Sequence, residues 1–339
     1  MDQGSTIGFD IAKHVFQVHG SDRQGQVFRR KLRRKEVLSY FEQLPPSVIG
    51  MEACGSAHYW ARKLTALGHE VRLMPAAYVK AYVKRQKNDA VDAQACWEAV
   101  GRPTMRFVAI KSEEQQSILM LHRVRELLVR QRTQTSNALR GHLAEFGIIA
   151  KQGTAGTDEL LALVEGNEEG LIPALARTAL LVLAGQLREV RAKIAEIERE
   201  IHAWHRSNPL SRRLETAPGI GPLTASAIVA TIADPSCFKS GRQFSAWLGL
   251  TPNENSTGGK QRLGRITRAG DPYLRRLLVV GAHAVLRYSG NAKSAPTRWA
   301  AELLGKKPYT LAAVALANKM ARVIWAMMTK GEAFRAVAA

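Results

Sequence analysis

Thr6-Ile7-Gly8-Phe9-Asp10-Ile11-Ala12-Lys13-His14-Val15-Phe16-Gln17-Val18 is the stretch from which the fold is read. Ile7, Phe9 and Ile11 alternate with Gly8, Asp10 and Ala12, the two-residue period of a strand with one face in a core. Asp10 falls on the opposite face, in mid-strand, where β-branched and aromatic residues are favoured and Asp is not. A carboxylate there has no packing value, so its use lies in what it binds. Three more carboxylates follow downstream. Glu52 closes the apolar run Val48-Ile49-Gly50-Met51, and Asp89 and Asp92 stand three apart in a helical segment. Like charges at that spacing repel by a few tenths of a kcal/mol unless a cation neutralises them. Four carboxylates from two strands and a helix converge only around something cationic. Two divalent ions held about 3.5–4 Å apart neutralise both the attacking and the leaving oxygen of a phosphoryl transfer. Magnesium takes oxygen ligands and keeps several waters, which suits such a cage. The expectation is two Mg²⁺ ions acting on nucleic-acid phosphate.

Working outward, Gly20-Ser21-Asp22 and Gly25 lead into residues 27–32, so the N-terminus reads as hairpin-linked strands. Residues 35–44 form a short helix ended by Pro45-Pro46. Residues 48–52 are a buried strand with Glu52 at its C-terminal end, 57–67 a helix stopped by Gly68, and 71–74 a further strand. That order implies a mixed sheet flanked by helices, with a site at strand ends. Residues 76–100 are helical in composition. Ser112 with Gln115 opens a second helical region by a capping-box pattern, with a spine of Leu121, Val124 and Leu128, ending at Gly147. Residues 147–173 read as a loop. Leu180, Leu183, Leu187, Val190, Ile194, Ile197, Ile201 and Trp204 then step by alternating threes and fours, a coiled-coil seam. Its partner is the 112–146 helix or another subunit. After Asn208-Pro209 the chain reads as helices joined by short loops, with Trp247 and Trp325 in the core.

Charge narrows the partner. The 339 residues hold 49 basic against 29 acidic side chains, a net +20. Residues 1–110 hold 17 basic and 10 acidic, residues 111–205 hold 12 and 13, and residues 206–339 hold 20 and 6. Two basic parts around a neutral spacer suit a polyanion far better than solubility alone requires. No apolar run of bilayer-spanning length and no secretory leader is read in the sequence. Cys54, Cys96 and Cys237 lack metal-ligand spacing, so the expectation is a cytoplasmic protein with no membrane partner.

Two C-terminal stretches carry the rest. Ala217-Pro218-Gly219-Ile220-Gly221-Pro222-Leu223-Thr224 makes a tight turn before a helix, a place where backbone N–H groups grip phosphate; Gly219, Gly221 and Thr224 are its candidates. The bland alternative is a glycine-capped helix connection. Asn253-Glu254-Asn255-Ser256-Thr257-Gly258-Gly259-Lys260 is an exposed loop followed by Arg262, Arg265, Arg268, Arg275 and Arg276. Glycine-spaced cations, Lys260 included, reach phosphates easily. Taken bare, such a serine is more often a phosphate contact than a nucleophile, because a hydroxyl attacks poorly without help.

The words Ile7-Gly8-Phe9-Asp10-Ile11-Ala12-Lys13, Met51-Glu52-Ala53-Cys54-Gly55 and Lys87-Asn88-Asp89-Ala90-Val91-Asp92-Ala93 resemble the DEDD transposases of insertion sequences, over nearly the whole chain. The resemblance implies a ribonuclease H-like (RuvC-like) α/β domain at residues 1–110. It implies a coiled-coil linker at 111–205 and an all-α C-terminal domain with a helix-hairpin-helix at 206–339. It also implies that Asp10, Glu52, Asp89 and Asp92 hold the metal and that Ser256 is the nucleophile of a phosphoserine intermediate at a composite site. Further implications are donor and target DNA, guidance by a bridge RNA, and a dimer or tetramer acting at the nucleoid. The family pattern has Gly directly after that serine, whereas Thr257 intervenes here, so Thr257 is a rival hydroxyl. The competing readings are a junction-cutting nuclease that uses water and a nucleic-acid-binding protein without chemistry.

Overall fold

The computed structural model describes residues 5–22, 24–83, 89–166, 171–260, 262–288 and 295–335. The chain divides into two compact units, residues 1–113 with 232–239, and residues 114–231 with 240–339.

The first unit is built on a five-stranded sheet in the order β3-β2-β1-β4-β5, comprising β1 (Thr6–Asp10), β2 (Val15–Ser21), β3 (Val27–Arg33), β4 (Val48–Glu52) and β5 (Glu70–Met74). The strands β1, β2 and β3 pair antiparallel, and β1, β4 and β5 pair parallel. This mixed order is compatible with a ribonuclease H-like fold. Helices α1 (Val37–Glu42) and α2 (Ala57–Ala66) cover one face. There the odd-numbered residues of β1 are buried, with the Phe9 ring 5.1 Å from Phe41 and 6.4 Å from Trp60. Emptying such a site by Phe→Ala costs about 3–5 kcal/mol. The even-numbered face receives α4 (Asp89–Val100), after the short α3 (Ala76–Val79).

The second unit starts with a helical hairpin of α5 (Glu113–Ala144) and α7 (Ala174–Ser207), bridged by α6 (Thr154–Glu165). The α7 seam meets α5 of the same chain where Leu180 and Leu187 pack with Leu139 and Leu143, and the helix Pro222–Thr231 packs along it further on. Trp204 Nε1 donates to Glu114 at 2.6 Å, and Arg125 pairs with Glu198 at 2.6 Å. Residues 147–173 are therefore not all loop. Leu160, Leu161 and Val164 bury one side of α6 against Leu139, Leu143, Leu180 and Leu187, a tertiary gain that outweighs a glycine-rich, acidic composition. The buried line of α5 also differs from the expected spine. It runs through Ile118, His122, Thr135 and Leu139, leaving Val124 38% exposed.

The unit continues through α8 (Pro209–Glu215), α9 (Pro222–Thr231), α10 (Gly241–Trp247), α11 (Pro272–Arg287) and α12 (Ala295–Leu304) to α13 (Tyr309–Lys330). Asn208 caps α8, its side chain accepting the Ser211 N–H at 2.9 Å with Pro209 at the first helical position. Among the described residues α13 alone is long and apolar enough to cross a bilayer, yet Leu316, Met320, Ile324 and Met327 are buried within the unit. Trp247, expected in the core, is 38% exposed and stacks on Phe244 at 6.1 Å.

A buried polar link ties α5, α9 and α11 together. His122 Nδ1 lies 2.9 Å from the Tyr273 hydroxyl and its Nε2 3.1 Å from Ser226 Oγ. Burial, with Arg125 nearby, holds its pKa down at about 4 from an ordinary 6.5. Between those values the unfolded chain binds a proton that the folded chain refuses, so stability rises with pH. The contribution is complete above about pH 6.5 and is lost as pH falls toward 4, about 3 kcal/mol in all. Urea unfolding of wild type and His122→Leu is expected to converge as pH drops through that window. A gap that stays constant or widens in acid would contradict the assignment.

Candidate active site

Gly8 and Gly50 are register partners in the parallel β1–β4 pair and form the floor beneath α4. A Cβ on Gly8 would lie 2.1 Å from the Ala93 carbonyl oxygen, and one on Gly50 2.6 Å from Val100 Cβ. Only glycine lets the helix approach so closely. Two residues further along each strand, on the same face, stand Asp10 and Glu52 at the strand ends. Asp92 lies one turn before Cys96 on α4. Asp89 opens that helix, but its side chain lies outside the described residues, as do Lys87 and Asn88.

Cys96 reports the field of this face. Its thiol is buried, and burial together with Asp10, Glu52 and Asp92 pushes its pKa far up. Burial, Glu52 and Asp10 raise Cys54 in the same way. Burial is the larger cause and disfavours any charge; the part that comes from the three carboxylates is the part that favours a cation. Three hard oxygen donors on one face fit a divalent ion that arrives with its own waters and phosphate oxygens. Among the described residues no three His, Cys, Asp or Glu side chains stand close enough to hold an ion by themselves.

The segment expected as a serine loop is a β-hairpin. Strands β6 (Pro252–Glu254) and β7 (Leu263–Ile266) pair antiparallel, and Thr257-Gly258-Gly259-Lys260 makes the tip. Gly258 and Gly259 have φ of +57° and +76°, the double positive φ that a tight two-residue hairpin turn demands. A Gly-Gly pair between extended arms was the available signal. Ser256 is exposed beside the tip. Its Oγ donates to Glu254 Oε1 at 2.9 Å and accepts the Arg262 N–H at 3.2 Å. Glu254 is a neighbour that sequence reasoning did not single out.

The cations divide into two groups. Lys260, Arg262, Arg265 and Arg268 are exposed around the hairpin. Arg275 and Arg276, expected as phosphate clamps, each make contacts within the chain. Arg275 Nη1 donates to the carbonyls of Leu248 at 3.0 Å and Ala269 at 2.6 Å, fastening the hairpin base to α11. Arg276 pairs with Glu126 at 2.9 Å over the Tyr273 ring. The glycine turn is also drawn into the packing. A Cβ on Gly219 would meet Gly281 and Met320 at 2.8 Å, so that turn is packed against α11 and α13, and the Thr224 side chain is buried. Gly221 has open space around its α-carbon.

A family model described as "Transposase IS116/IS110/IS902 family" matches residues 211–296, which contain the hairpin and Ser256. A DEDD-type model from IS110 elements, described as "Transposase", matches residues 7–148, which contain all four carboxylates. The "Probable family 20 transposase" of Pseudomonas aeruginosa is 50% identical over 333 residues, 98% of each chain. The chain belongs to the IS110/IS116 transposase family. The transposase for insertion sequence element IS1111A of Coxiella burnetii is similar at 38% identity, over 97% of this chain and 91% of that protein. That for IS1328 of Yersinia enterocolitica is 37% identical over 98% and 99%. Membership of this transposase family implies cleavage and rejoining of DNA, and the DEDD match implies dependence on a divalent metal.

Proposed function

We propose that this IS110-family transposase is a site-specific DNA recombinase working through a covalent protein–DNA intermediate. Asp10, Glu52, Asp89 and Asp92 hold two Mg²⁺ ions, and Ser256 is the nucleophile. When bound, the metal supplies neutralisation of charge at the scissile phosphate. Asp10 and Glu52, fixed at adjoining strand ends, orient that charge; Lys260, Arg262, Arg265 and Arg268 draw the DNA backbone to the hairpin. The observation that carries the reading is the exposed Ser256 hydroxyl, held by two hydrogen bonds on a hairpin beside exposed cations. A hydroxyl so held is oriented before substrate arrives. A phosphoserine link keeps the phosphodiester energy, so strands rejoin without a nucleotide cofactor. The reading extends to an element-encoded bridge RNA that selects donor and target, and to a dimer or tetramer in the bacterial cytoplasm.

The test is denaturing electrophoresis of end-labelled donor DNA with Mg²⁺. Wild type and Thr257→Ala are expected to give a protein-linked band that Ser256→Ala abolishes. Cleaved DNA with no linked protein would favour water attack by a nuclease, and loss of the band in Thr257→Ala alone would move the nucleophile by one residue.

A further inference from the structure

Resting on the reading of Ser256 as nucleophile, we infer that Glu254 is its general base, taking the Oγ proton as the serine attacks phosphorus. Glu254 ends β6 and Ser256 follows two residues later, just before the turn at Gly258-Gly259, and there the two side chains meet. Ser256 Oγ donates to Glu254 Oε1 at 2.9 Å, within the range a base needs for the proton it removes. The Arg262 backbone N–H reaches the same oxygen at 3.2 Å, from the opposite arm. One lone pair of Oγ is thereby engaged, its hydrogen points at a carboxylate, and its second lone pair is left for phosphorus. The Asn255 N–H donates to the Arg262 carbonyl at 2.9 Å, which holds the two arms in this register.

Stability does not account for the pair. Both side chains are exposed, and a surface hydrogen bond of this kind contributes little to folding. The side-chain hydrogen bond that Glu254 makes is to the Ser256 hydroxyl, on a hairpin that also carries the exposed Lys260, Arg262 and Arg265. A serine is a weak nucleophile that an adjacent base activates, and this is the arrangement of such a pair.

The step balances. The Oγ–P bond forms, the bond from phosphorus to one deoxyribose oxygen breaks, and the Oγ proton passes to Glu254. The departing sugar oxygen takes a proton from solvent. On rejoining, a sugar hydroxyl attacks phosphorus, loses its proton to solvent, and protonated Glu254 returns its proton to Oγ as the serine leaves.

The experiment measures the rate of adduct formation for full-length protein on donor DNA, in the Ser256 and Ser256→Cys backgrounds. A thiol ionises far more readily than a hydroxyl and has less need of a base. Glu254→Gln is expected to slow adduct formation about a hundredfold in the serine background, with DNA binding unchanged, and at most a few-fold in the cysteine background. In the serine background the rate of Glu254→Gln is also expected to rise about tenfold per pH unit, as hydroxide replaces the lost base. This second readout decides the matter if the cysteine protein forms no adduct. A Glu254→Gln rate equal to wild type, an equal loss in both backgrounds, or a pH profile parallel to wild type would overturn the assignment. Absence of any adduct from wild type, or an adduct that survives Ser256→Ala, would instead sink the nucleophile reading beneath it.

Discussion

Asp10→Asn is expected to slow DNA strand cleavage by about a thousandfold or more while leaving the fold and DNA binding intact. Asp10 sits at the end of β1 on the α4 face, partly exposed, and contributes nothing to the aromatic core formed by Phe9, Phe16, Phe41 and Trp60. An amide of the same shape keeps the strand and removes the charge. Metal-assisted neutralisation at a scissile phosphate is worth several kcal/mol, and each 1.36 kcal/mol is a factor of ten in rate. Glu52→Gln and Asp92→Asn are expected to act in the same direction, since the Cys96 thiol feels all three charges. Single-turnover cleavage of donor DNA, with circular dichroism as the control on folding, checks this. Cleavage by Asp10→Asn within a few-fold of wild type would rule out its role.

Gly8→Val is expected to cost the first unit about 3 kcal/mol of stability and to abolish cleavage with it. The Ala93 carbonyl and the Trp97 backbone nitrogen would stand 2.1 and 2.4 Å from the new Cβ, so α4 must leave the sheet or the strand must bend. Overpacking against backbone has no flexible side chain to absorb it. The same displacement would carry Asp92 away from Asp10 and Glu52, so metal binding fails even in molecules that remain folded. Gly25→Val tests whether this is specific to the helix contact. Gly25 has a positive φ but no atom within 4 Å of its added Cβ, so its substitution strains a turn without touching α4. Chemical denaturation and cleavage assays on both variants make the comparison, and equal losses of cleavage would contradict the packing account.

The N-terminal half was legible because its signals are local. Ile7 and Phe9 alternate with Gly8 and Asp10, and that alternation is the physical cause of a strand with one buried face. Gly68 and Pro75 punctuate the elements where the chain turns. The heptad seam of α7 announced a helical partner but not which one, because knobs from the same chain and from another copy present the same spacing. The failures have a common cause in long-range packing. Helix α6 forms because Leu160 and Val164 find α5 and α7, which no window of local composition contains. Arg275 bonds the Leu248 and Ala269 carbonyls and Arg276 pairs with Glu126, contacts that no local window of sequence contains. Thr224 lies in a phosphate-binding pattern yet is buried among helices. The β6–β7 hairpin has its local signal in Thr257-Gly258-Gly259-Lys260, but its arms are short and polar and lack the apolar alternation of a strand. The contact of Glu254 with Ser256 therefore has no marker in the sequence pattern.

Divalent metal binding at the carboxylate face tests the central claim most directly. Electron paramagnetic resonance of Mn²⁺ titrated into the Ser256→Ala protein on donor DNA would count bound ions without turnover. Two bound ions per chain are expected, with both lost when Asp10→Asn and Glu52→Gln are added. Equal Mn²⁺ binding with and without those two carboxylates would contradict the account.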